Sequence, residues 1–450
     1  MNRIRRLALS SAATAALIAG AGPALAGGFI NQSQSTVFNG MAYAGYGAPG
    51  GGPSSMFINP ATMTQFGAFT TDTNLFGIFP FSNIRGSGGP AVGLGAGVPP
   101  FNSIPSGDIG QDAFSSASYY IMPLSRSVVI GLAFNSPFGF TTSPNTPWGG
   151  QRTSETTSLR TYTFTPSIAF KFSETLSFGV GIQAQYAKAR LVSNAFPSPA
   201  SGPLIGLKGD GTGFGITAGL TWQPWAGTSI GLGYRSRINQ ELEGRFIGFE
   251  GIPGNPFGPA LALGNRIEGV LKLPDRVNLS IRQSINPLLD LTGSVEWQGW
   301  SRIGTSPIRS PVLAVGAFPL RTLPFEYKDG WFFAAGAEYK WSPNLTLRGG
   351  LAYEISPVTD AVRSTRLTDA DRFWTSLGLT YKWSERFSIN ASYSHVFVRS
   401  APINVVPGNP NFNPLAPITY QGKARSHVDI VSIGLTSTWG SAAPAVVAKY

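Results

Sequence analysis

The sequence predicts an all-β fold, a transmembrane antiparallel up-and-down β-barrel of about 14 strands. Three observations predict it: a composition poor in charge, a period-two alternation of apolar and polar residues, and alternating short and long connections. Charged residues make up 12% of the 450 residues, and glycine contributes 56. Since roughly a quarter of an average soluble protein is charged, this chain has too few charges for an ordinary soluble surface.

The period-two alternation is the dominant pattern along the chain. In residues 176–187, apolar side chains alternate with small or polar ones, as expected for a strand with one face in an apolar phase. The segments near 387–397 and 431–439 follow the same pattern. The apolar phase of the first of these segments consists of Leu176, Phe178, Val180, Ile182, Ala184 and Tyr186.

Segments of this kind predict the positions of the strands. Tryptophans recur near their ends, which predicts an aromatic girdle at the two membrane interfaces. The girdle tryptophans are Trp222, Trp225, Trp297, Trp300, Trp331, Trp341, Trp383 and Trp439. The predicted strands lie near 69–82, 113–122, 127–140, 157–172, 175–190, 211–223, 228–246, 266–283, 289–302, 329–340, 345–355, 371–383, 386–399 and 426–439.

The connections between these segments alternate strictly in length. Links after even-numbered strands are short, as at Ser173-Glu174 and Ser384-Glu385. Links after odd-numbered strands are long and rich in glycine and proline, namely 191–210, 247–265, 303–328 and 400–425. Tight periplasmic turns and long outer loops produce this asymmetry in a membrane barrel. An even strand number closes the barrel and leaves no unpaired backbone edge in lipid.

The N-terminus carries an export signal ahead of the barrel. Basic residues precede an apolar run over residues 7–21, and Ala24-Leu25-Ala26 completes an A-x-A-like cleavage site. This pattern predicts a signal peptide over residues 1–26, with an uncleaved anchor as the alternative. The remaining chain divides into a segment at 27–68 without sustained alternation and a barrel at 69–450. The residues alone leave two interpretations of 27–68: a disordered periplasmic arm, or a plug inside the lumen.

Nine stretches of the chain resemble motifs of one family, the outer-membrane long-chain fatty acid transporters (FadL-like), which include aromatic-hydrocarbon transporters. Together they cover nearly the whole mature chain in order, with Thr165 standing where the family has Asn. The stretches are Gly28-Phe29, Gly40-Met41-Ala42-Tyr43-Ala44-Gly45, Asn59-Pro60-Ala61, Asn135-Ser136-Pro137-Phe138-Gly139-Phe140, Thr165-Pro166-Ser167-Ile168-Ala169-Phe170, Gly231-Leu232-Gly233-Tyr234-Arg235-Ser236, Leu273-Pro274-Asp275, Trp297-Gln298-Gly299-Trp300-Ser301 and Asp369-Ala370-Asp371-Arg372.

The resemblance implies a fourteen-stranded barrel, an N-terminal hatch (plug) over residues 27–68 with its Asn59-Pro60-Ala61 motif, and a hydrophobic ligand pocket. It also implies a lateral gate at a kink in the third strand, at Asn135, Ser136, Pro137, Phe138 and Gly139. The residues support the kink independently, because Pro137 cannot donate to a strand ladder and Gly139 has no side chain to pack. A bulge that only curves the wall is the alternative.

The sequence offers little for catalysis. The chain has no cysteine, and its two histidines are His395, on an outward strand phase, and His427. Nothing resembles a nucleophile elbow or a histidine pair at metal-ligand spacing. We therefore expect no enzymatic activity, no metal site and no cofactor. The net charge of +11 comes from scattered single lysines and arginines, which argues against a nucleic-acid partner.

Four arginines are candidate partners for a ligand carboxylate. Alternation places Arg235, Arg237, Arg348 and Arg372 on inward strand phases. A planar guanidinium can bind a carboxylate through two hydrogen bonds, and partial burial strengthens the pairing. The alternative is that these arginines pair only with inward carboxylates, such as Glu296, Glu354 and Asp371.

These observations predict a channel for passive diffusion of a hydrophobic small molecule across the Gram-negative outer membrane. The expected ligand is a long-chain fatty acid, which leaves sideways at the third strand. The alternatives are a structural or adhesive barrel without transport, and an aromatic-hydrocarbon transporter of the same fold. Outer-membrane lipid and the barrel assembly machinery are the other expected partners.

Overall fold

A computed structural model describes residues 28–90, 103–145, 147–194, 204–247, 265–309, 322–412 and 418–440. The signal peptide predicted at 1–26 lies outside these residues, as do residues 248–264 and 310–321 of the long connections predicted at 247–265 and 303–328. Within the described ranges, no helix is both long enough and apolar enough to cross a membrane.

Antiparallel strands account for most of the described chain. They are β1 (Phe69–Pro90), β2 (Ala113–Pro123), β3 (Val128–Asn135), β4 (Gly139–Thr142), β5 (Thr156–Lys171), β6 (Leu176–Asn194), β7 (Leu204–Trp222), β8 (Thr228–Arg235), β9 (Ile238–Ile247), β10 (Arg266–Leu273), β11 (Arg276–Asn286), β12 (Leu289–Gln298), β13 (Thr305–Arg309), β14 (Thr322–Pro324), β15 (Gly330–Ser342), β16 (Leu345–Ile355), β17 (Arg372–Lys382), β18 (Phe387–Val398), β19 (Ala401–Val405) and β20 (Ile418–Trp439).

The strands form a closed barrel, as predicted. The first strand, β1, pairs with the last, β20, from Phe69 opposite Trp439 to Pro90 opposite Ile418. Three wall strands are interrupted, into β3 and β4, β8 and β9, and β10 and β11, while β13, β14 and β19 extend the wall at its outer end. The wall therefore has 14 antiparallel strands.

Several strands reach further outward than the alternation predicted. The structure extends β1 to Pro90 and begins β7 at Leu204 and β20 at Ile418. Beyond the bilayer, neither face of a strand meets lipid, so the pattern of apolar residues disappears while the backbone ladder continues. Hydrophobic periodicity therefore detects the membrane-embedded part of each strand and misses its outer extension.

The outward face of the wall is apolar, as a lipid-exposed surface requires. Along β20, Val431, Ile433 and Leu435 are exposed, whereas Ser432 between them is buried. Six of the eight predicted girdle tryptophans are exposed near strand ends, and Trp297 is half-buried there, but the prediction for Trp300 is wrong. Trp300 is fully buried because it lies beyond the end of β12, in a 3₁₀ turn that directs it inward.

The N-terminal segment at 28–66 is buried almost throughout. It contains one short helix, α1 (Thr36–Asn39), and two 3₁₀ helices, at Pro53–Phe57 and Pro60–Gln65. Main-chain amides in this segment bond to inward-facing side chains on different sides of the wall. Thr36 N–H donates to Asn74 Oδ1 on β1 at 2.8 Å, and Gly45 N–H donates to Ser294 Oγ on β12 at 2.8 Å. The segment therefore lies between opposite walls.

Wall glycines allow the segment to approach closely. A Cβ atom on Gly231 would lie 1.9 Å from the Gly47 carbonyl oxygen, and one on Gly350 would lie 2.2 Å from the Met41 carbonyl oxygen. Glycine at such positions lets two backbones meet without a side chain between them. This requirement explains part of the high glycine content.

Candidate functional site in the outer half of the lumen

A cavity of about 700 Å³ lies beneath the outer loops, within the range typical of small-molecule sites. Its wall combines the N-terminal segment, the outer halves of several strands and the connection at 356–371, which joins β16 to β17. Most of the surface is apolar. The large apolar side chains at the cavity include Phe29, Phe140, Leu159, Leu207, Leu271 and Phe325.

Phe29 anchors an aromatic cluster at the cavity. Its ring centroid lies 4.6 Å from that of Trp300 in an edge-to-face arrangement and 6.0 Å from that of Phe140 in a stacked one. Phe325 completes the cluster at 6.2 Å from Phe29. Because Phe29 belongs to the N-terminal segment and Phe140 to β4, the cluster ties that segment to the strand beyond the kink.

Arg366 brings a cation to this apolar cavity. Its Nη1 donates to Thr157 Oγ1 at 3.3 Å and to the Val192 carbonyl at 3.4 Å, both long contacts. Among the described residues, no carboxylate lies within ion-pairing distance of Arg366. Burial lowers the pKa of Arg366 to about 10, so the guanidinium stays charged at neutral pH. The site can therefore accept an anionic group at one end of an apolar space.

The connection that carries Arg366 is held in shape by Arg363, which is fully buried. Arg363 donates from Nε to the Asp369 carbonyl at 2.8 Å and from Nη2 to the Val358 carbonyl at 3.1 Å. Its Nη1 also contacts Asp360 Oδ1 at 2.5 Å. These bonds fix the loop backbone and thereby position Arg366 over the cavity.

A second cation and two hydroxyls make up a polar edge of the cavity. Arg152 lines the cavity, and burial lowers its pKa. The hydroxyls of Thr153 and Thr365 are hydrogen-bonded at 2.7 Å, which joins the 147–155 connection to the loop that carries Arg366. The polar edge thus lies on the outer-loop side of an otherwise apolar space.

The structure places the four arginines predicted from alternation outside the residues that line this cavity. Arg235 is buried and directed inward, but it binds the N-terminal segment. Its Nη1 donates to the Phe57 carbonyl at 2.6 Å, and its guanidinium lies 4.1 Å from the centroid of the Phe57 ring. Its Nη2 contacts Gln183.

The side chains of Arg348 and Arg372 are also shielded from solvent, and both pair with carboxylates of the protein. Arg348 Nε donates to Glu338 Oε2 at 2.7 Å, within a network that includes Arg282 and Asp290. Arg372 pairs with Asp369. Both arginines therefore fit the alternative that they pair with inward carboxylates of the protein. Their partners are Glu338 and Asp369 rather than Glu296, Glu354 or Asp371.

The inward orientation predicted for Arg237 is wrong, because the structure exposes this residue. The wall strand is interrupted here: β8 ends at Arg235, β9 begins at Ile238, and both of these residues are buried. Two residues outside the ladder shift the alternation by one position, so Arg237 faces outward. A prediction that assumes an unbroken period of two along the strand cannot detect such an interruption.

The predicted kink in the third strand is a real interruption between Asn135 and Gly139. The ladder between β2 and β3 stops at Ser118 opposite Phe134. In the described chain, residues 113–117 of β2 pair only with β1. Over residues 113–117, β2 therefore has no strand partner on the side of the kink.

The N-terminal segment bonds to the kink from inside. Asn31 N–H donates to the Pro137 carbonyl at 2.8 Å, and Gly139 N–H donates to the Phe29 carbonyl at 2.9 Å. Ile30 and Phe138 face each other as an antiparallel bridge between these two bonds. Side chains add to this contact, since Gln34 Nε2 donates to the Ser136 carbonyl at 2.9 Å and Asn135 Nδ2 donates to Gln34 Oε1 at 3.1 Å.

The Asn59-Pro60-Ala61 motif lies against a pair of wall glycines. Asn59 Nδ2 donates to the Gly47 carbonyl at 2.8 Å and to the Leu220 carbonyl on β7 at 2.9 Å. Its Oδ1 accepts a bond from the Ala61 amide at 3.0 Å, so the side chain caps the 3₁₀ helix that Pro60 begins. Gly179 and Gly219, which are cross-strand partners, face the motif.

The histidines lie away from the cavity. His395 is hydrogen-bonded to Asp429 at 2.7 Å, and His427 stacks on Phe81 with ring centroids 5.0 Å apart. In the part of the chain that the structure describes, no group of histidines and carboxylates has the arrangement of a metal site.

A closed 14-stranded barrel with an apolar lumenal cavity defines an outer-membrane protein of the ligand-transport type. The family profile of the outer membrane protein transport proteins (OMPP1/FadL/TodX) matches residues 17–438, and the chain belongs to this family. Its members are outer-membrane transport proteins for hydrophobic compounds, and this chain is accordingly an outer-membrane protein.

Individual relatives are similar over most of their length. The long-chain fatty acid transport protein of Salmonella typhi is 26% identical over 405 residues, which covers 85% of this chain and 90% of the relative. Outer membrane protein P1 of Haemophilus influenzae is 27% identical over 420 residues, with coverage of 85% and 88%.

Solved structures show the same fold. The crystal structure of a Pseudomonas aeruginosa FadL homologue has a TM-score of 0.81 and 25% identity, and the match covers 92% of this chain and all of that one. The Pseudomonas putida toluene transporter TodX has a TM-score of 0.62 at 13% identity, covering 91% of this chain.

Alternation could predict neither the outward orientation of Arg237 nor the position of Arg366 at the cavity. Arg366 was missed because it lies in a connection, where strand phase says nothing about orientation. The sequence contains no signal for it, because Val358, Val362 and Leu367 are interspersed with charged and hydroxyl residues in the connection at 356–371.

Proposed function

We propose that this protein carries long-chain fatty acids across the outer membrane by passive diffusion through the cavity. One observation carries the proposal: Arg366 places a charged guanidinium, without a carboxylate partner among the described residues, at the wall of a largely apolar cavity. A partly buried charge without a counter-ion is costly, and a fatty acid supplies both the carboxylate and an acyl chain for the apolar wall. The fatty acid transport proteins among the relatives support the same ligand.

The N-terminal segment at 27–68 acts in this proposal as a plug that separates the cavity from the periplasm. Its burial and its main-chain bonds to the wall support this role. Asn59-Pro60-Ala61 anchors the plug to β7, and Arg235 holds it at the Phe57 carbonyl. Arg235 is therefore a positioning residue for the plug, and Arg366 is the ligand-binding residue.

The exit is sideways, at the kink of the third strand. A ligand released downward would expose its apolar surface to water, at about 25 cal/mol for every Å². For a long acyl chain this amounts to several kcal/mol, so transfer into the bilayer is easier. Phe29 and Phe140 lie between the cavity and the kink. Release of the bonds from Phe29 and Asn31 to the kink would open the path.

An aromatic hydrocarbon is the second candidate ligand. The cluster of Phe29, Phe140, Phe325 and Trp300 favours it, because aromatic rings pack well edge-to-face. Such a ligand has no carboxylate, so its binding would not depend on Arg366. The two candidates therefore make different predictions for one substitution.

The test compares oleate and toluene binding to the purified full-length protein. Arg366→Gln keeps the size and polarity of the side chain and removes its charge. We expect at least about ten-fold weaker oleate binding, as for loss of a charge-assisted hydrogen bond, with toluene binding unchanged. Arg399→Gln is the matched control, since Arg399 is half-exposed and pairs loosely with two aspartates.

Three outcomes would count against the proposal. Equal oleate affinity in the parent and Arg366→Gln would remove Arg366 from the site. Toluene binding without oleate binding would favour the aromatic ligand. Absence of binding for both compounds would favour a structural or adhesive barrel.

A further inference from the structure

A row of positive charges crosses the outer surface of the barrel at one level. Arg190 on β6 lies directly opposite Lys208 on β7, and Lys208 lies directly opposite Arg245 on β9. We call these three residues the basic ladder. All three lie on the outward phase of their strands, because their neighbours Leu207 and Phe246 are buried and face the lumen. Arg190 and Arg245 are exposed, and Lys208, which also borders the lumenal cavity, is half-buried.

The basic ladder has no compensating partner of its own. Among the described residues, no carboxylate lies within ion-pairing distance of Arg190, Lys208 or Arg245. The nearest acidic side chains on this face are already engaged: Asp210 accepts a bond from Tyr186, and Glu243 pairs with Arg266. Like charges directly opposite each other on neighbouring strands destabilise a sheet. An anion bound between them would relieve this repulsion.

More positive charge lies one step below the ladder. Arg160 on β5 faces Lys188 on β6, and both are exposed. The Lys188 ammonium lies 5.8 Å from the centroid of the Tyr186 ring. The same row continues into carboxylates, since Asp210 lies opposite Lys188 and Glu243 lies opposite Asp210, so the uncompensated positive charge of this face is concentrated in the basic ladder itself.

The height of the ladder identifies the kind of anion. Along the outward face of β7, Trp222, Leu220, Ile216 and Phe214 are exposed and apolar, and Lys208 follows further outward. At about 3.3 Å per residue and a strand tilt of about 40°, Lys208 lies about 35 Å above Trp222. An apolar band is about 25 Å tall. The ladder is thus about 10 Å beyond the hydrocarbon, at the level of the lipid headgroups.

We infer that the basic ladder binds the phosphate groups of a phosphorylated glycolipid of the outer leaflet, of the lipid A type. Two features favour this occupant over a soluble anion. The apolar wall further below the ladder, which begins at Phe214 on β7, offers a surface for acyl chains, and arginine guanidinium groups match phosphate through paired hydrogen bonds. A lipid with both phosphates and acyl chains uses both features at once. This inference concerns the outer surface of the barrel and is independent of the ligand in the lumen.

The test is native mass spectrometry of the full-length protein in detergent micelles, titrated with diphosphoryl lipid A. The test variant combines Arg190→Gln, Lys208→Gln and Arg245→Gln. The control variant combines Arg126→Gln, Lys382→Gln and Arg386→Gln, three exposed cations near the short-turn rim, with the same change in charge. Heat-modifiable gel migration checks that both variants form barrels.

We expect the parent and the control variant to retain lipid A equally, and the test variant to bind it at least about ten-fold more weakly, since each cation near an anionic lipid surface contributes to binding. Restoring Arg190 and Arg245 as lysines, with Lys208 intact, should recover much of the binding. Added salt should weaken binding in the parent. Equal binding by the parent and the test variant would overturn the inference. An equal loss in both triple variants would show non-specific attraction, and equally tight binding of phosphatidylglycerol would exclude the lipid A type.

Discussion

Asn59 donates a hydrogen bond from its side-chain amide to the main-chain carbonyl of Leu220 at 2.9 Å, joining the N-terminal segment to β7. The neighbouring Gly219 makes this contact possible, because a Cβ atom there would lie 1.8 Å from Asn59 Oδ1. The motif and the glycine are therefore one structural unit. This unit anchors the N-terminal segment to β7.

The substitution Asn59→Ala tests the anchor. It removes three side-chain hydrogen bonds, which join Asn59 to the Gly47 and Leu220 carbonyls and to the Ala61 amide, at a cost of about 1–3 kcal/mol for each buried group left unsatisfied. We expect frequent or lasting open conductance in planar bilayers, where the parent stays closed. Gln65→Ala, which changes an exposed residue of the same segment, is the control. A closed Asn59→Ala barrel would show that the motif does not hold the segment in place.

A reversible cross-link tests the lateral exit. Since the chain has no cysteine, Ile30→Cys with Phe138→Cys introduces one disulfide between the N-terminal segment and the kink. The two residues face each other as an antiparallel bridge without mutual hydrogen bonds, the closer of the two pair types. We expect fatty acid uptake to stop under oxidising conditions and to return after reduction.

The matched control for the cross-link is Asn83→Cys with Asp108→Cys, another isolated bridge that lies away from the kink. Its oxidation should leave uptake unchanged. Undiminished uptake by the oxidised Ile30/Phe138 pair would mean that the ligand leaves without movement at the kink.

The pH dependence of binding follows from Arg366. Because burial lowers its pKa to about 10, the guanidinium is charged below that pH and loses its charge as the pH rises through it. A bound carboxylate favours the charged form, so oleate affinity should be constant near neutral pH and should fall above about pH 10. Toluene affinity should not change over the same range. Isothermal titration calorimetry at a series of pH values measures both, and parallel loss of the two would point to unfolding.

The assignment of the lipid face predicts different costs for the same residue at two heights of β20. Ile433→Arg places a charge in the apolar band and should cost about 2–4 kcal/mol, whereas Gln421→Arg lies above the band and should cost about 0–1 kcal/mol. Folding titrations into lipid vesicles measure both. Equal costs would mean that Ile433 does not face lipid near the bilayer centre.

Much of the fold could be predicted because lipid imposes a strict period of two on every strand. Ile433 and Leu435 face outward for that reason, and the strand at 345–355 has the bounds that the alternation predicts. The outer extensions of β1 and β20 could not be predicted, since no apolar phase exists there to impose a pattern. The kink was predictable from Pro137, because the missing N–H donor is a local property of the sequence.

The site was harder to predict because its cation stands in a connection. Alternation correctly placed Arg235, Arg348 and Arg372 inside, but it could not show that the protein itself binds their guanidinium groups. It failed for Arg237 because an interruption of two residues reverses the phase. The position of Arg366 depends on the folding of a loop around Arg363, which donates to the distant Pro402 carbonyl, a contact that no local pattern encodes.

The initial rate of radiolabelled oleate uptake is the most direct test of the central claim. It is measured in cells that lack their own fatty acid transporter and carry the parent, Arg366→Gln or Arg399→Gln at equal levels in the outer membrane. The account predicts rapid uptake by the parent and Arg399→Gln, and a rate reduced about ten-fold or more at low oleate concentration by Arg366→Gln. Uptake by the parent no faster than by cells without the protein would contradict transport. Equal uptake by the parent and Arg366→Gln would contradict the role of Arg366.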